Sequence, residues 1–94
     1  MLFADKIRQL REERKLLQCH LAAVLDKDTP MFSKIERGEQ PAKHTQVIAI
    51  AKILTADENE LLTLWLADKL LDVLEGEKEL GAKVMIIVQQ NIKE

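Results

Sequence analysis

Cys19 and His20 are the first residues in this 94-residue chain whose types could do chemistry, a thiol beside an imidazole. A helix turns about 100° per residue, so adjacent side chains diverge and cannot readily ligate one metal ion. His44 stands apart, and a single cysteine provides neither an internal disulfide nor the clustered Cys/His spacing of a structural zinc site. A Cys/His catalytic pair drawn from distant positions would need a third residue or a nucleophile signature, and the chain has neither. The residues therefore predict no catalysis, no metal and no cofactor. What remains is recognition chemistry, from hydrogen-bond donors and the 14 Lys and Arg side chains.

Charge divides the chain. Residues 1–52 carry ten Lys/Arg against seven Asp/Glu, a balance of +3, whereas residues 53–94 carry four against nine, a balance of -5. Screening confines such fields to about 8–10 Å, so an anionic partner such as nucleic acid is drawn to the first half and repelled by the second. Hydrophobic residues at 47% and charged ones at 32% are globular composition, and the length leaves room for one modest core. No apolar run approaches the roughly 20 residues of a membrane span. The start, MLFADKIRQLREERK, has no signal-peptide apolar region, which predicts a cytoplasmic protein without membrane contact.

The elements that must position these side chains are helices. Three glycines, two prolines, no Tyr and few other aromatics disfavour strands, and the fold class expected is all-α. Ile7 and Leu10, with Leu2 and Phe3, mark a first amphipathic helix over 3–15, and Leu21, Ala22 and Leu25 a short second one over 18–25. Thr29-Pro30 signals the start of a third, which Gly38 ends; Thr29 is read as its cap, with Asp28 the competing cap one residue earlier. A fourth helix over 43–54 buries Val47, Ile50, Ala51 and Leu54. Asp57, three residues before Glu60, opens a fifth over 58–74. That helix is apolar over so much of its circumference that it must be covered on two sides. Beyond Gly76 a last amphipathic helix over 79–92 carries Leu80, Val84, Ile87, Val88 and Ile92 on one face.

Residues 16–38, LLQCHLAAVLDKDTPMFSKIERG, resemble the helix-turn-helix of the Xre/Cro/λ-repressor-like family, and residues 3–66 resemble its five-helix domain. Gln18, Leu21-Ala22, Leu25 and Ser33-Lys34-Ile35-Glu36-Arg37-Gly38 stand where the family has them, as do Pro41 and the Ala51-Leu54 pair. The resemblance implies a λ-repressor-like DNA-binding domain over 1–66, with an extended fifth helix, and a C-terminal helical extension over 67–94 for dimerisation or partner binding. It implies a transcriptional regulator that reads double-stranded DNA by placing helix three, about 29–37, in the major groove. Thr29, Pro30, Ser33 and Lys34 then face base edges, Gln18 holds a phosphate, and Arg37 and Lys43, with Arg14 and Lys15, reach the backbone. Arg11 and Glu36 are assigned instead to a partly buried ion pair between helices one and three. Restriction–modification controllers and antitoxins are compact members of the family similar in size to this chain.

The chain departs from the family pattern at its turn, where Asp26 replaces the usual glycine and Lys27 a small apolar residue. Asp26, Asp28 and Glu39 would all lie near a DNA backbone and weaken the electrostatic term. The apolar surplus on residues 61–74 and 80–92 has two readings: the last helix folds back on helix five within one chain, or the two supply a homodimer surface. The rival to DNA reading is a protein-interaction module or antitoxin whose acidic, apolar C-terminal half binds a second protein.

Overall fold

A computed structural model describes residues 1–92; Lys93 and Glu94, the end of the expected extension, lie outside the described residues. The chain is all-α. Its elements are α1 (Leu2–Glu13), α2 (Gln18–Val24), α3 (Thr29–Glu36), α4 (His44–Ile53), α5 (Glu58–Val73), a 3-10 turn (Lys78–Leu80) and α6 (Gly81–Asn91), with no strand among the described residues. The apolar positions that recur every three or four residues converge on one core. Ile7, Leu21, Phe32, Val47, Ile50, Leu54 and Leu61 are fully buried there, each from a different turn of α1 to α5 or the α4 cap. Helices α2 and α3 pack on each other, α1 lies against α3 and α5, and α4 against α2 and α5.

Four helices end in one turn geometry. At α1, α2, α3 and α4 the chain turns left-handed one residue past the cap, at Lys15 (φ 55°), Asp26 (φ 56°), Gly38 (φ 77°) and Thr55 (φ 52°). The next N–H returns to a carbonyl of the last turn: Leu16 to Arg11, Lys27 to Ala22, Glu39 to Lys34 and Ala56 to Ala51, at 2.9–3.0 Å. Only one of the four is glycine. Asp26 thus adopts a left-handed backbone conformation that glycine most readily takes.

The cap of α3 is Asp28, not Thr29: its Oδ1 accepts the Met31 N–H at 2.9 Å, and Thr29-Pro30 fill the first helical positions. Pro30 there forgoes an N–H that would have no helical partner. Asp57 caps α5 through the Asn59 N–H at 2.8 Å, while Glu60 turns to Lys6 at 3.5 Å instead of closing a capping box. The N-terminus of α1 is capped from a distance. Leu2 and Phe3 donate their N–H groups to the two oxygens of Asp68 on α5, each at 2.9 Å, and Asp68 is buried. A carboxylate at a helix N-terminus meets both its free donors and its dipole.

The C-terminal part corrects one expectation: the last helix does not begin at Glu79, because a 3-10 turn over 78–80 precedes α6. Within one chain α5 is not covered on two sides, since Leu66, Leu70, Leu71 and Val73 remain 41–78% exposed. Gly81 and Met85 of α6 face Leu70, Leu71 and Leu74 across an open groove of about 610 Å³. The radius of gyration, 14.9 Å, exceeds the roughly 12 Å of a compact chain this long. The extension projects from the core.

Candidate nucleic-acid interface

At about 100° per residue, Thr29, Pro30, Ser33, Lys34 and Arg37 fall within an arc of roughly 140° on α3, and Phe32, Ile35 and Glu36 occupy the opposite arc. The second group is buried and anchors the helix to the core, so the first group is turned outward. Lys34, Arg37 and Pro30 are exposed, and Thr29 and Ser33 half-buried. One helix face is thereby furnished with two hydroxyls, a proline ring and two cations. It is held from behind by apolar contacts.

The angle of that helix is fixed by a polar cluster at the junction of α1, α2 and α3. Arg11 Nε and Nη2 donate to Glu36 Oε2 and Oε1, both at 2.8 Å, and Arg11 Nη1 donates to the Leu16 carbonyl at 2.9 Å. Gln18 Nε2 donates to Glu36 Oε1 at 3.1 Å. Glu36 is buried and its charge is matched by a guanidinium whose own pKa the hydrogen bond to Glu36 raises further. Three helices meet on one carboxylate. Gln18, expected at a phosphate, is thus anchored inward; its amide has two N–H groups, so one remains for an outside acceptor.

Cys19 is exposed on α2, and the Nδ1 of its neighbour His20 accepts the Leu17 N–H at 3.0 Å, closing the first turn of that helix. His44 is edge-on to Trp65 with ring centroids 5.7 Å apart, and Trp65 Nε1 donates to the Ala42 carbonyl at 2.9 Å. Among the described residues no group of three or more His, Cys, Asp or Glu side chains is disposed to hold a metal ion. No helix of the described residues is long and apolar enough to cross a membrane.

Lys43 is exposed beside the start of α4, where its N–H is taken by Gln46 Oε1 at 2.8 Å. It lines a shallow depression with Lys27, Met31 and Gln40, next to the inner edge of α3. Arg14 is turned away to Thr55, its Nε 3.3 Å from Oγ1, on the far end of α4. The end of α3 is tied by contacts that residue spacing alone does not give. Arg37 donates from Nη1 to Ser33 Oγ at 2.8 Å and from Nε to Glu39 Oε2 in the following loop. The Arg37 guanidinium in turn holds the Glu39 carboxyl below the usual glutamate range. The signal was present, since a glycine between Arg37 and Glu39 lets the chain turn back on the helix it leaves.

Residues 2–64 match a protein family described as a helix-turn-helix domain, a span that runs from the first residue of α1 into α5. No curated protein and no solved structure matches the chain.

Proposed function

Because the chain belongs to the helix-turn-helix domain family, we propose that it is a transcriptional regulator of the Xre/Cro/λ-repressor-like kind that reads double-stranded DNA with α3 and acts as a homodimer. The observation that carries this reading is the outward arc of α3: Thr29, Pro30, Ser33 and Lys34 on a helix anchored by Phe32 and Ile35. A major groove about 12 Å wide admits one such helix, with its first turns against base edges. Lys34 donates to guanine O6 and N7, Ser33 serves either donor or acceptor, and Thr29 or Pro30 packs on a thymine methyl. The free N–H of Gln18, with Arg37 and Lys43, neutralises phosphates and sets the register without reading sequence.

Residues 1–66 are the DNA-binding unit in this proposal, and residues 67–94 join two copies. Leu66, Leu70 and Val73 on α5 and Leu80, Val84 and Ile87 beyond it are exposed and spaced four and three apart, the stripe of a helix that packs on another helix. Leu71, Ile86 and Ile92 are exposed as well and extend the apolar surface beside that stripe. A dimer places two copies of α3 on half-sites about 34–36 Å apart. That same exposed surface supports the second reading, a module that binds another protein through its C-terminal half.

Selection from a pool of random duplex DNA at two salt concentrations separates the two. The regulator enriches a two-fold symmetric site, with affinity that falls steeply as salt rises. Ser33→Ala and Lys34→Ala, both outward-facing, abolish the preference. If no sequence is enriched even at low salt, the DNA reading fails for this protein and the C-terminal half becomes its working surface.

A further inference from the structure

Glu39 is the acidic side chain placed most directly against the proposed DNA contacts, and the backbone puts it there. Gly38 adopts φ 77°, the Glu39 N–H bonds back to the Lys34 carbonyl at 2.9 Å, and the Gly38 N–H to that of Ile35 at 3.0 Å. A Cβ at position 38 would lie 2.5 Å from Met1 Cγ, so this tight turn admits glycine and fixes where residue 39 emerges. The turn folds the Glu39 carboxylate over the last turn of α3. There Arg37 Nε donates to it, Arg37 Nη1 donates to Ser33 Oγ at 2.8 Å, and Lys34 is close enough to favour its ionised form.

Asp28 differs, because its carboxylate is occupied by the cap of α3. Glu39 makes no backbone cap; among the described residues its partner is the guanidinium that the DNA reading assigns to a phosphate. A phosphate that takes the Arg37 Nε–H must displace the carboxylate from it, and a phosphate on the remaining N–H groups is repelled by the carboxylate beside it. We propose that Glu39 is an internal substitute for a DNA phosphate: in the free protein it holds Arg37, and through Arg37 the Ser33 hydroxyl, and binding exchanges the carboxylate for a phosphate of the duplex. Glu39 is then a residue that restrains affinity and makes binding depend on the contacts Lys34 and Ser33 make with bases. The inference rests on the DNA reading.

The test is a binding titration of one fluorescent duplex, the site enriched from the random pool, with full-length wild type, Glu39→Gln, Arg37→Gln and the double variant over a range of salt. Both positions are exposed, and a thermal melt of each variant checks that the fold is retained. Glu39→Gln binds about five-fold more tightly, because binding no longer has to separate one pair of opposite unit charges that attract by about 1 kcal/mol at about 4 Å in water. Its plot of log affinity against log salt steepens by up to about 0.9, because the interface loses the carboxylate that offsets one of its cations. The gain disappears in the Arg37→Gln background, since the two act as one unit. Equal or weaker binding by Glu39→Gln, an unchanged salt slope, or the same gain without Arg37 overturns the proposal while leaving the DNA reading intact. Failure of wild type and every variant to bind any duplex at low salt overturns the DNA reading and this inference with it.

Discussion

Arg11 grips Glu36 by both carboxylate oxygens at 2.8 Å across the gap between α1 and α3, and the two ends of the pair are unequally buried: the Glu36 side chain is 3% exposed, that of Arg11 13%. That asymmetry sets which deletion is worse. Without Glu36 the guanidinium can swing toward water, but without Arg11 the carboxylate is left inside with only the Gln18 amide. Arg11→Ala therefore loses about 3–4 kcal/mol and Glu36→Ala less, while Arg11→Met with Glu36→Leu regains most of the loss because no charge is left unmatched. Urea denaturation of the three variants measures this. A larger loss in Glu36→Ala than in Arg11→Ala would contradict the burial argument.

Asp68 joins the two ends of the folded core by accepting the Leu2 and Phe3 N–H groups. Asp68→Ala leaves those donors without a partner at the start of α1 and removes the anion from its positive end, a loss of about 2 kcal/mol. Asp68→Asn keeps one acceptor oxygen and loses less. Amide hydrogen exchange at Phe3 and Ala4 quickens in Asp68→Ala before the rest of α1 is affected.

Sequence spacing located α1 to α4 because each buries an apolar face, and the outward arc of α3 follows from the same periodicity. The Arg11–Glu36 pair came only with the family resemblance, since residues 25 apart leave no local trace of contact. Asp68 went unread for the same reason: within LWLADKLL it is a polar interruption, and its partners are more than 60 residues away. Helix ends were read from glycine and proline, yet Lys15, Asp26 and Thr55 turn left-handed without glycine, because tertiary packing on both sides outweighs about 1–3 kcal/mol of local strain. The apolar excess of α5 was legible, but not its exposure; composition reports that a surface is apolar and is silent on what covers it.

Those left-handed residues differ in strain. Thr55 is β-branched, a poor fit at φ 52°, whereas Asp26 belongs to the few types that tolerate such a conformation. Thr55→Gly stabilises by about 1 kcal/mol even after the greater freedom of glycine in the unfolded chain, raising the Tm by about 4–8 °C. Asp26→Gly changes the Tm much less but removes a carboxylate near the proposed DNA backbone. Differential scanning calorimetry of the two single variants distinguishes backbone strain from charge.

Acid titration reports on the Arg37–Glu39 pair. Arg37 lowers the Glu39 pKa, so whatever stability the pair contributes is present above the unfolded glutamate value and is lost as pH falls through the lower folded one. The Glu39 side-chain carboxyl resonance therefore titrates at lower pH than an ordinary glutamate, and in Arg37→Gln its midpoint moves back up. A midpoint that does not respond to Arg37 would mean the pair is not formed in solution.

The C-terminal surface makes the last prediction. Leu70 and Ile87 are 41% and 60% exposed in a single chain, so a charge at either site disturbs little within the monomer. In the proposed dimer both lie inside the interface, where an unpaired carboxylate is strongly unfavourable. Leu70→Glu and Ile87→Glu are expected to keep the helical content and Tm of a folded chain at low concentration yet sediment as monomers where wild type sediments as a dimer. Linking two α3 readers raises the effective concentration of the second, so a monomeric variant binds a symmetric site about 10²- to 10⁴-fold more weakly while its affinity for a single half-site is unchanged. Wild type that stays monomeric at its highest soluble concentration, with the same half-site affinity, would assign this apolar surface to a different protein.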